Sequence, residues 1–168
     1  MRYTKLGKTG LEVSELCLGT LIYGSLQSRM TPRESETAIH RALSLGITFF
    51  DTAKGYATYD HLRHGLADNR DVVIASKSPV KTAREMRTDV EACLKALGHD
   101  TIDIFHMHLV RSDADLHERA GALDTLRKCR DEGLIRHIGL SSHSIAGALS
   151  ALACDDIEVV MPILNRRG

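Results

Sequence analysis

Four ionisable side chains fall where parallel strands would end: Asp51, Tyr56 five residues later, Lys77 and His108. Singly, each has an ordinary structural explanation. An Asp at a strand end caps or turns the chain, and a Lys there is solvated. A Tyr in the loop Asp51-Thr52-Ala53-Lys54-Gly55-Tyr56 packs, and a His hydrogen-bonds a neighbour. Together they can do carbonyl chemistry. A phenol with an ordinary pKa of about 10 is a poor proton donor at neutral pH. An ammonium beside it stabilises the phenolate and lowers that value, a part Lys77 can play if Asp51 holds it in place. His108 can donate a hydrogen bond to a carbonyl oxygen that becomes an alkoxide, and Tyr56 can protonate that oxygen. No side chain donates hydride, so the set calls for a nicotinamide or a flavin.

For residues so far apart in sequence to meet, the chain must gather its strand ends on one rim. Lys8-Thr9-Gly10 supplies a turn between short extended pieces at 3–6 and 11–13, which reads as a hairpin. An apolar strand at 16–20 follows. Thr31, Pro32 and Glu34 then start a helix as N-cap, first helical residue and capping-box partner, and Gly46 stops it. The unit recurs. Strands are expected at 47–51, 72–77, 102–108, 135–140 and 157–161. Helices are expected at 59–66, from a Thr82/Glu85 cap to Gly98, from an Asp115/Glu118 cap to Gly133, and at 144–153. Six strands alternating with five helices behind a hairpin imply a parallel α/β sheet covered by helices. The closure is either a doubly wound sheet or part of a (β/α)8 barrel, and 168 residues are few for a whole barrel of about 250.

Composition narrows the class. The 22 basic and 22 acidic residues balance, which argues against a nucleic-acid or anionic-membrane surface, and no apolar run is long enough to span a bilayer. The polar start lacks the apolar core of a secretory signal, and the four scattered cysteines suit a reducing cytoplasm. Cys17 and Cys93 read as small buried residues, as do Met86, Met107 and Met161. With no linker visible, residues 1–168 read as one domain.

The segments Asp51-Thr52-Ala53-Lys54-Gly55-Tyr56, Ile74-Ala75-Ser76-Lys77, Asp103-Ile104-Phe105-His106-Met107-His108 and Ile138-Gly139-Leu140-Ser141-Ser142-His143 resemble the aldo-keto reductases. Met1-Arg2-Tyr3-Thr4-Lys5-Leu6-Gly7 and Glu15-Leu16-Cys17-Leu18-Gly19-Thr20 are similar to that family's N-terminal hairpin and first barrel strand. The resemblance implies a (β/α)8 barrel binding NADPH or NADH across its carboxyl-end rim, with a small aldehyde or ketone as substrate. Asp51, Tyr56, Lys77 and His108 match the catalytic tetrad, with Tyr56 as general acid. Thr20, Asp51, Ser141, Ser142 and Asn165 are the cofactor-side positions it implies. Ser142 stands where Asn is common, and Met161 where many members have Gln.

The same resemblance implies that this chain carries about six of eight barrel strands and is incomplete at its C-terminus. The segments that hold the pyrophosphate and adenosine in relatives lie beyond Gly168. The first and sixth strands then expose parallel edges, which invites self-association. Two rival functions remain at this level. One is a binding or regulatory protein without turnover. The other is a metal-dependent hydrolase using His106 and His108, which point the same way on one strand; such enzymes carry the H-x-H on the first strand, whereas here it follows Lys77 on the fourth. No metal site is expected.

Overall fold

Local signals act first. Thr31 accepts a hydrogen bond from the Glu34 amide while Glu34 accepts one from the Thr31 amide, and Pro32 opens helix α1 (Pro32–Ser44). Thr82 caps α3 (Ala83–Leu97) in a similar way, and Gly98 ends it in the left-handed conformation at φ 70°. Met86, Val90, Cys93, Leu94 and Leu97 recur at helical spacing on α3 and are all buried. Burying each of the larger ones contributes roughly 1.5–3 kcal/mol.

The computed structural model describes residues 1–67 and 69–164. Strands β1 (Tyr3–Lys5) and β2 (Glu12–Ser14) form an antiparallel hairpin. Six parallel strands follow in sequence order: β3 (Cys17–Gly19), β4 (Phe49–Asp51), β5 (Val73–Ser78), β6 (Ile102–Met107), β7 (Ile135–Ser142) and β8 (Ile157–Pro162). Helices α2 (Tyr59–Leu66), α4 (Asp113–Glu118), α5 (Ala120–Asp131) and α6 (Ile145–Ser150), with α1 and α3, complete an α/β open half-barrel. The larger core cluster includes Phe50, Ile74, Phe105, Met107, Ile138 and Leu140 with the apolar faces of the helices. A smaller one joins Val73, Ala75, Ile104 and Val159 to Val13 of the hairpin.

Several expectations change. The helix read from Asp115 to Gly133 is two helices, broken at Arg119 (φ −98°, ψ 15°), so there are six α-helices among the described residues. Ser112, not Asp115, caps the first of them, because Asp115 is engaged by Arg119. β6 ends at Met107, leaving His108 one residue beyond the strand. Cys17 is exposed and Met161 only half-buried, because β3 and β8 are the outer strands of the sheet and each has a neighbour on one side only among the described residues.

Candidate functional site

The parallel register brings the four predicted residues to one rim. Gly19 pairs with Asp51, Asp51 with Ala75, and Lys77 with His106. Lys77 Nζ, on a side chain only 1% exposed, donates to both Asp51 carboxylate oxygens at 2.6 Å and to the Thr52 carbonyl at 3.0 Å. The same Nζ stands over the Tyr56 ring, 4.8 Å from its centroid. The Tyr56 and His108 rings meet edge to face at 6.4 Å, and His108 Nδ1 lies 2.6 Å from the Ser141 hydroxyl. Among the described residues nothing hydrogen-bonds the Tyr56 hydroxyl or His108 Nε2.

The electrostatics differ from the sequence expectation. Burial drives the Asp51 carboxyl up and the Lys77 ammonium down, each opposed by the charge of the other. Tyr56 is pushed up to about 12 by burial and by the Asp51 charge. The expected lowering by Lys77 does not occur, because both Asp51 oxygens already engage that ammonium and offset its charge. His108 is pushed down to about 4, by burial first and then by Lys77 and His143. The imidazole is therefore neutral at neutral pH and able to act as a hydrogen-bond donor without carrying charge.

The two residues just after Tyr56 and His108 carry backbone strain. Ala57 sits at φ 54° and Leu109 at φ 60°, the left-handed region that non-glycine residues seldom enter. Such strain persists where surrounding structure enforces it, and it concentrates at functional sites. Arg119 supplies part of that enforcement beside His108. Its side chain, 5% exposed, donates to the carbonyls of Pro79, His108 and Leu109 and pairs with Asp115. Sequence reading missed Arg119; the (i, i+4) spacing from Asp115 was the available signal.

The remaining predicted positions divide. Ser141 reaches the rim through its bond to His108. Thr20 is fully buried, its hydroxyl 2.7 Å from that of Thr58, which in turn lies 3.1 Å from Thr52. These contacts tie the end of β3 to Thr52 and Thr58, which flank the Tyr56 turn. Ser142 is 1% exposed, and its hydroxyl donates to the Val110 carbonyl at 2.6 Å. Asn165 lies outside the described residues. His106 is completely buried against Gly139, where a Cβ would stand 2.1 Å from its Nδ1, and neither of its nitrogens has a hydrogen-bond partner among the described residues. His61 is buried on α2 between Ser35 and the Tyr23 ring.

Residues 15–165 match the model of the Aldo/keto reductase family. The Glycine max protein named probable aldo-keto reductase 1 is 31% identical over 157 residues, which cover 83% of this chain and 44% of that protein. A Pseudomonas aeruginosa structure assigned to the aldo-keto reductases superposes with a TM-score of 0.88 at 32% identity, over 99% of this chain and 68% of that one. A Bombyx mori aldo-keto reductase solved with NADP shares the fold at 19% identity and a TM-score of 0.77, over 98% of this chain and 58% of that one. The chain spans about half the length of the curated relatives it matches. With the tight parallel register and the rim it builds, these likenesses show that the chain belongs to the aldo/keto reductase family.

Proposed function

We propose that residues 1–168 form one aldo-keto-reductase-like unit carrying the groups for NAD(P)H-dependent reduction of an aldehyde or ketone to an alcohol, or the reverse. The observation that carries the reading is the convergence at Lys77, whose ammonium joins Asp51 and the Tyr56 ring, with His108 at the edge of that ring. The donor set fits a nicotinamide with a carbonyl beside it. Tyr56 and His108 offer a hydroxyl and a ring nitrogen that have no hydrogen-bond partner among the described residues, and Ser141, one of the predicted cofactor contacts, lies beside them. The bound nicotinamide would supply hydride to the carbonyl carbon.

The chain's own residues handle the oxygen. With the Ser141 hydroxyl donating to Nδ1, His108 carries its proton on Nε2 and donates to the carbonyl oxygen as negative charge builds there. Tyr56 holds its proton through the pH range of life because its pKa lies near 12. An alkoxide is a stronger base than that phenolate, so the transfer still runs downhill once hydride has arrived. Asp51 anchors Lys77, whose ammonium stands over the Tyr56 ring and helps fix where the phenol lies beside His108.

The test is oxidation of NADPH by the purified chain with a panel of aldehydes and ketones, read from the absorbance of the reduced nicotinamide. Tyr56→Phe serves as the reference. Turnover that falls in Tyr56→Phe by about 10²-fold or more supports the reading. Equal rates in the two proteins, or no oxidation in either, overturn it for this chain.

A further inference from the structure

Asp89 lies on α3, outside the rim, and is 7% exposed. A buried carboxylate needs partners, and these come from two other segments. Oδ2 accepts from the Ser78 hydroxyl at 2.6 Å, and Oδ1 pairs with Lys54 Nζ at 3.0 Å. Ser78 closes β5 directly after Lys77. Lys54 opens the single 3₁₀ turn Lys54–Tyr56, whose Tyr56 amide donates to the Ala53 carbonyl at 3.0 Å. One carboxylate is thus bonded beside each half of the phenol–ammonium pair, although those halves come from different strand-loop units.

The rest of β5 shows the same arrangement. Ser76, on the other side of Lys77, lies 3.1 Å from the Tyr59 hydroxyl of α2. Side chains alternate across a strand, so Ser76 and Ser78 face the helices while Lys77 faces Asp51. Both neighbours of Lys77 are therefore anchored on the helix side, but only the Ser78 anchor also reaches the Tyr56 loop.

We propose that Asp89 is a positioning residue that sets the separation of Tyr56 and Lys77 by tying Lys54 and Ser78 to one point on α3. This rests on reading Tyr56 and Lys77 as catalytic, but the tether can be tested without turnover. Amide hydrogen exchange in the parent is compared with Asp89→Ala, Asp89→Asn and Lys54→Met. The expected result is exchange of the 52–58 segment about tenfold faster in Asp89→Ala and Lys54→Met, with β6 unchanged. Asp89→Asn, which can still accept from Ser78, should protect 76–81 while releasing 52–58. Unchanged 52–58 exchange overturns the tether, as does uniform acceleration reaching β6. If Asp89→Ala does not fold, Lys54→Met decides, since that lysine is 44% exposed and its loss leaves the core intact.

Where the parent turns over, Asp89→Ala should lower kcat about tenfold at constant carbonyl KM, and Asp89→Asn should recover part of it. A change confined to KM overturns the positioning role. Faster 52–58 exchange in a parent with no turnover keeps the tether and rejects the catalytic reading, so the two failures are distinguishable.

Discussion

His106 makes the stability of this chain depend on pH, and replacing it with Leu should remove much of that dependence. The imidazole is fully buried and neither nitrogen has a hydrogen-bond partner among the described residues. Burial, then the charges of Lys77 and His108, push its pKa from 6.5 down to about 3. Between those values the unfolded chain binds a proton at this site and the folded chain does not, so stability rises with pH and is lost as pH falls through 6.5 toward 3. At about pH 4.5 two of those units have been traversed, which at 1.36 kcal/mol each corresponds to roughly 3 kcal/mol lost relative to about pH 8. His106→Leu abolishes that term and also removes two unpaired polar atoms, each costing about 1–3 kcal/mol. The chain has no tryptophan, so urea unfolding is followed by far-ultraviolet circular dichroism at several pH values. The variant should be the more stable protein throughout, with its advantage growing by roughly 3 kcal/mol on going from about pH 8 to about pH 4.5. His108, also pushed down, remains in both proteins, so some acid sensitivity persists and cancels in the difference. An advantage that stays constant with pH would refute the argument, because it would mean His106 meets its proton equally in both states.

Other perturbations follow from the same contacts. Lys77→Met leaves the buried Asp51 carboxylate without its ammonium and should cost about 3–5 kcal/mol at neutral pH in urea unfolding. That loss should shrink as pH falls, because the raised Asp51 carboxyl is then protonated and no longer a buried charge. Arg119→Met strips three carbonyls of their donor, leaves Asp115 to the Arg111 amide and Lys81, and should destabilise by about 3 kcal/mol, with amide exchange at 108–110 accelerating first. The outer strands β3 and β8, with exposed Leu16, Val160, Ile163 and Leu164 beside them, should drive pairing with a second copy; sedimentation at rising concentration should show species above the 18.5 kDa monomer. A monodisperse monomer would contradict it.

What the sequence made legible was whatever local spacing controls. The caps at Thr31 and Thr82, the alternation of strand and helix, and the placing of Asp51, Lys77 and His108 within a residue of the strand ends all follow from rules acting over a few residues. Where an answer depended on a distant partner, the reading diverged. Asp115 looks like a cap until Arg119 is seen to turn it inward and break the helix. What Thr20 and Ser142 bond to was likewise not legible, because Thr58 and Val110 lie 38 and 32 residues away in sequence. Asp89 carried no signal at all, because its partners lie 11 residues away on β5 and 35 residues away on the Tyr56 loop. The Tyr56 expectation changed for the same reason. An ammonium beside a phenol lowers its pKa only if its charge is free, and here Asp51, 26 residues from Lys77, holds that charge with both oxygens. The type of chemistry could be read from which residues are present, whereas the direction in which each group titrates depends on who already holds its neighbour.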